Sequence, residues 1–163
     1  MKKSIFLLLA GLLSGAAQAA VGGYPVVLVH GFQPDNLQSK PVGAQVSNNG
    51  ADYWAQYWRD RADERIDWPS QERIANKITS QYVWPKLQQM SRDGTCSNGC
   101  VFVTHSTGDL VTRYIIDNQA LWLQNAGLQP LNIVATFDFA GAGAGVVDGR
   151  GCGAAGHTGG LLL

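Results

Sequence analysis

Along the chain, short unbroken apolar runs alternate with stretches whose apolar residues recur at steps of three and four. Residues 24–32 (YPVVLVHGF) are a valine-rich run stopped by glycine. That pattern predicts a strand buried on both faces, as in a parallel sheet. Residues 33–50 are rich in Gln, Asn, Ser, Pro and Gly, which predicts a loop. In ADYWAQYWRDRAD, Trp54, Tyr57, Trp58 and Arg61 fall at helical spacing, and ERIDW reads as a brief strand before Pro69. A longer helical segment opens at Pro69, a residue suited to a first turn. Ile74, Ile78 and Tyr82 form its stripe, Leu87 and Met90 continue beyond a kink expected at Pro85, and Gly94 ends it.

CVFVT (residues 100–104) is a second buried run, and LNIVATFDF (residues 131–139) a third. Between them Leu110, Val111, Tyr114, Ile115 and Leu121 predict a helix with one inward face. Strand, helix, strand, helix, strand is the pattern of an α/β protein, a mostly parallel sheet joined by crossover helices. No period of 20–50 residues repeats, which excludes a solenoid.

The two ends differ from this middle. Residues 1–19 carry Lys2 and Lys3, an apolar run from Ile5 to about Ala17, and Ala17-Gln18-Ala19 in the form of a cleavage site. These features predict a Sec-type signal peptide cut after Ala19, and a secreted or periplasmic product with no stable membrane insertion after cleavage. From Gly141 to Gly160, nine of twenty positions are glycine, so residues 141–163 are expected to pack no element. The domain proper is then residues 20–140.

Composition adds limits. Subtracting Lys2 and Lys3 from 12 basic residues leaves 10 against 12 acidic ones, a net of −2, and no basic run suggests a nucleic-acid partner. Of three cysteines, Cys96 and Cys100 could close the turn CSNGC in an oxidising compartment, a link worth roughly 2 kcal/mol. Cys152 is left over. No second Cys or His pair lies at ligand spacing, so no metal is expected, and no cofactor motif is present.

The chemistry-bearing stretch is Thr104-His105-Ser106-Thr107-Gly108, between a strand and a helix. It matches, loosely, the G-x-S-x-G elbow in which a serine sits on a strained turn at a helix N-terminus. Gly108 meets the need for a small residue; Thr104 meets it imperfectly. Upstream, His30-Gly31 ends another buried strand. Acyl transfer at Ser106 needs two backbone N–H donors for its oxyanion. Thr107, after the nucleophile, and Phe32, after Gly31, are the candidates. Asp109 follows either as a carboxylate stabilising a first helical turn or as an extra negative charge near the oxyanion that opposes catalysis, a repulsion weakened by distance and solvent.

These segments together resemble the α/β-hydrolase superfamily, and within it the exported bacterial lipases and esterases. The matching stretches are the signal peptide, PVVLVHGF, VFVTHSTGDLVTRYII and LNIVATFDFAGAGAG. The resemblance implies a doubly wound sheet, an ester or lipid substrate, and a triad in the order serine, acid, histidine. Ser106 matches the nucleophile and Phe32 and Thr107 the oxyanion donors. His30 matches a histidine that is usually structural, and His105 is expected in packing or local hydrogen bonding. The family's later strands have no counterpart, so the sheet is expected to be incomplete. Asp138 lies inside the third strand. Asp148 and His157 are the candidates for acid and base by order, although the glycine around them offers no rigid shell. The tail composition suggests a shifted reading frame or a premature end.

Two outcomes stay open: a serine carboxylic-ester hydrolase, or a catalytically inactive partial hydrolase domain. The aromatic stretch Tyr53, Trp54, Tyr57 and Trp58 suits an acyl chain, though an aromatic stripe is more often core.

Overall fold

The computed structural model describes residues 20–54 and 56–143. The expected signal peptide, most of the glycine-rich tail, Cys152, Asp148 and His157 lie outside the described residues.

Strand β1 (Ala20–Val21) turns through Gly22 and Gly23, at φ +62° and +86°, into β2 (Tyr24–Val29). Two consecutive positive φ values suit a tight hairpin, and the pair is antiparallel. The remaining strands run parallel. β3 (Glu64–Ile66) pairs with one edge of β2, β4 (Cys100–His105) with the other, and β5 (Ile133–Phe139) with β4. The order β3-β2-β4-β5 is that of an α/β fold, as the alternating pattern predicts. Register sets Val29 beside Thr104 and Thr104 beside Asp138, so the C-terminal ends of three strands meet.

The loop expected over residues 33–50 is instead two helices, α1 (Asp35–Ser39) and α2 (Ala44–Trp54). Side-chain amides take the place of an apolar stripe here. Asn36, buried, donates to Gln33 Oε1 at 2.8 Å and accepts from Asn49 at 3.2 Å. The helix expected around Tyr57 and Trp58 ends at Trp54, and residues 56–61 form turns.

The segment expected to start at Pro69 begins as a helix only at Ile74. It runs as a wide π-type segment, Ile74–Val83, broken by a kink at Asn76 (φ −124°, ψ −109°), into α3 (Trp84–Asp93), where Trp84 N–H reaches back five residues to Thr79. Pro85, in the first turn of α3, has no N–H to give and a ring to house; widening the preceding turn accommodates both. Gly94 caps α3 at φ +70°, as its position predicts. Cys96 and Cys100 are disulfide-bonded, and both residues are buried.

Helix α4 (Gly108–Asn125) buries Val111, Ile115, Gln119 and Leu123, at steps of four. Leu121, expected inward, is 62% exposed. Gln119 takes the inward position because its amide satisfies both backbone groups of Leu131, at 2.9 and 3.1 Å.

The sheet has two unequal faces. One carries Val27, Val29, Ile66 and Phe102, sealed by Ile78, Leu87 and Met90 on one side and Val111, Ile115 and Leu123 on the other. The opposite face buries Val26, Leu28, Val101 and Val103 under Trp54, Trp58 and Ala62. Beyond β4 that second face continues onto Phe137 and Phe139 of β5, which are 48% and 54% exposed. Among the described residues, no strand pairs with the outer edge of β5.

Candidate active site

Ser106 follows β4 and precedes α4, with φ +52°. A β-carbon makes that left-handed conformation costly, about 1–3 kcal/mol, so the surroundings must impose it. They do so through the backbone. Ser106 N–H donates to Phe139 O at 2.9 Å, and its carbonyl accepts from Asp109 N at 3.1 Å and Ala142 N at 3.2 Å. The residue is half-buried, with its side chain outside both apolar cores.

Two glycines let the loops close on this turn. A β-carbon on Gly108 would lie 2.5 Å from the carbonyl oxygen of His30 and 2.6 Å from that of Val29. Helix α4 therefore starts in backbone contact with the end of β2. A β-carbon on Gly31 would lie 3.0 Å from Ser106 Cβ and 2.7 Å from His105 Nδ1. The peptide that carries the Phe32 amide thus passes directly beside the serine. Neither the Phe32 nor the Thr107 amide donates to an acceptor among the described residues. Thr107 is the residue after Ser106 and precedes the first turn of α4, and Phe32 is the residue after Gly31, which packs against Ser106.

His30 is structural. It is fully buried, its Nδ1 lies 2.7 Å from Gly31 O, and its Nε2 accepts from Trp68 N–H at 3.0 Å. With Nε2 accepting, the proton sits on Nδ1 and is donated to Gly31. Trp68 also stacks on the ring, centroids 5.0 Å apart, and its indole N–H donates to His30 O at 2.9 Å. Burial, with Arg65 nearby adding to it, lowers the imidazole pKa to about 4. Both ring nitrogens are spent, so His30 has none to offer Ser106.

His105 points to the aromatic side of the sheet, as its place in the strand alternation requires, and its Nδ1 lies 2.6 Å from the hydroxyl of Tyr53. The local hydrogen bonding expected of this residue is present; its partner, on α2, is visible only in three dimensions. Burial raises the Tyr53 pKa above its usual value, so the phenol keeps its proton. Trp54 and Trp58 pack on the second sheet face, whereas Tyr53 and Tyr57 remain exposed. An open groove of about 420 Å³ lies between Leu28, Trp54, Trp58 and Ala62, rimmed by Asp52 and Arg59, and does not reach Ser106.

Asp109 is nearly buried and paired with Arg113 at 2.9 Å, one helical turn on. Its charge is answered within α4, in keeping with its place in the first turn. Thr104, wholly buried, donates its hydroxyl to Asp138 Oδ1 at 2.9 Å. This cross-strand bond satisfies the buried threonine hydroxyl and ties Asp138 to the strand pair. Among the described residues no group of His, Cys, Asp and Glu is arranged to hold a metal ion. No helix of the described residues is long and apolar enough to cross a membrane.

The structure thus brings together Ser106, Thr107, Gly31 and Phe32, and ties His30, His105 and Asp138 to other partners. Trp68, which fixes His30, and Tyr53, which fixes His105, carry no sequence signal for those roles. No protein-family model, no curated protein and no solved structure matches this chain.

Proposed function

We propose that the chain is a serine carboxylic-ester hydrolase that works through an acyl-enzyme on Ser106. The observation that carries this is the positive φ of Ser106 at the head of α4, beside two amides with no acceptor among the described residues. Glycine would relieve the strain of that turn, so a serine held there, at the head of a helix, is read as kept for its hydroxyl. In the reaction the Ser106 oxygen adds to the ester carbonyl. The oxygen of the tetrahedral intermediate points between the Phe32 and Thr107 N–H groups, and the alcohol leaves with the proton taken from serine. Water repeats the sequence and frees the acid.

The proton carrier in this proposal is a histidine on the C-terminal side, with His157 as base and Asp148 as acid the candidates of the correct order. The α/β order of the strands supports the superfamily resemblance, and the segment before residue 20 supports export.

A second reading, a catalytically inactive partial domain, is favoured by one specific observation. Both histidines among the described residues are committed elsewhere, His30 to Gly31 and Trp68 and His105 to Tyr53.

Incubating the purified chain with a fluorophosphonate probe and a chromogenic short-chain ester, beside Ser106→Ala, tests the two. Turnover and labelling that vanish in the variant support the hydrolase. A folded sample that neither labels nor turns over supports the inactive domain.

A further inference from the structure

The two amides assigned to the oxyanion stand on different loops, one after β2 and one after β4. Their usefulness depends on their spacing, since donors must lie about 2.7–3.1 Å from one developing charge. One side chain occupies the seam between those loops. The His105 ring rests against the bare α-carbon of Gly31, where a β-carbon would be 2.7 Å from Nδ1 and 2.8 Å from the His105 carbonyl oxygen. His105 is joined through Ser106 to Thr107, and Gly31 is joined directly to Phe32. A turn of this imidazole about its second torsion would therefore press on one amide loop while it is anchored to the other.

That torsion is broad for an imidazole and needs an external restraint. The restraint is the hydroxyl of Tyr53, 2.6 Å from Nδ1. Tyr53 is itself held, edge-on to Trp54 at 5.2 Å and over His30 at 5.8 Å. The residue is 39% exposed and belongs to neither apolar core.

We propose that Tyr53 and His105 are a positioning pair that fixes the separation of the Phe32 and Thr107 amides and so sets the reactivity of Ser106. The proposal rests on the serine-hydrolase reading for its kinetic consequence, but its geometric part stands apart from activity. Tyr53 touches no reacting atom and acts through His105.

The test uses the whole chain. Tyr53→Phe removes one oxygen and leaves the ring. Its phosphonylation by a fluorophosphonate, and kcat for a short-chain ester, should fall about tenfold with KM unchanged. This is well short of the roughly 10²–10³ typical of losing an oxyanion donor outright. His105→Asn, whose amide can take the place of Nδ1, should keep most of the rate, and His105→Leu should lose it. Independently, the amide proton resonances of Phe32 and Thr107 should shift together in Tyr53→Phe. Ser106 labelling at an unchanged rate in Tyr53→Phe, or amide resonances that do not move, overturns the positioning pair. A folded wild-type chain that does not label overturns the hydrolase reading instead, and the resonances still decide whether the pair sets the amide spacing.

Discussion

The two faces of the sheet have been built to different standards. One is closed by the π-type segment, α3 and α4, with fifteen buried residues, enough to make it the main stabilising core. The other buries four, under indoles from α2 and the turn that follows. Both faces draw on the same strands, since Val27 and Phe102 point one way and Val26 and Val101 the other. The difference therefore lies in what covers them. The alternation of side chains in a strand makes two apolar faces from one valine run; only helices placed above and below decide whether both become core. The serine turn lies at the rim where the strands end, between the thick face and the thin one.

The sharpest way to break this comparison is to remove the same ring from each face. Phe102→Ala, on the thick face, should cost about 4 kcal/mol in urea unfolding. Phe137→Ala, on the thin face and 48% exposed, should cost well under half of that. Equal losses would mean that the thin face is covered in solution.

At the rim, Gly108→Ala sets a methyl group against the carbonyl oxygens of Val29 and His30. We expect a loss of about 3 kcal/mol and reduced activity, because α4 can relieve the clash only by moving the elbow. Unchanged thermal unfolding in this variant would show that the helix start is free to shift.

The pH dependence tests the packing of His30. Its folded pKa, about 4, lies below the ordinary value of 6.5, so the unfolded chain binds the proton first as pH falls. Stability is complete above pH 6.5 and declines as pH drops toward 4, by about 3 kcal/mol for a shift of this size. Asp67 opposes this trend, because burial raises its pKa and favours the folded state on acidification. Comparing unfolding of the wild type with His30→Asn across pH 4–7 isolates the histidine; the variant should show a flatter profile over that window.

The smallest effect should be a gain. Ser106→Gly removes the β-carbon from a residue at φ +52° and should raise stability by about 1 kcal/mol while abolishing turnover. A destabilised variant would show that the serine side chain contributes more than its backbone costs.

Much of the frame was legible along the chain. The valine run before His30, the CVFVT run and the stripe through Val111 and Ile115 specify strands and a helix because burial on a periodic element leaves a periodic trace. Ser106, Gly31 and Gly108 were legible as a group, since a tight turn between strand and helix restricts residue size locally. The helices over residues 35–54 were not, because Asn36 and Gln33 are satisfied by partners in space rather than by an apolar stripe. Leu121 and Gln119 exchanged the roles that hydrophobicity assigns them, because the backbone of Leu131 needed an amide.

By itself, the sequence determined the parallel α/β frame, the disulfide-closed turn and the position of the candidate nucleophile, all products of local patterning. Only the tertiary structure decided that His30 belongs to Trp68, that His105 belongs to Tyr53, and that one sheet face is thick and the other thin. Those outcomes depend on contacts between residues 38 and 52 positions apart in the chain, and no periodicity along the chain encodes such contacts.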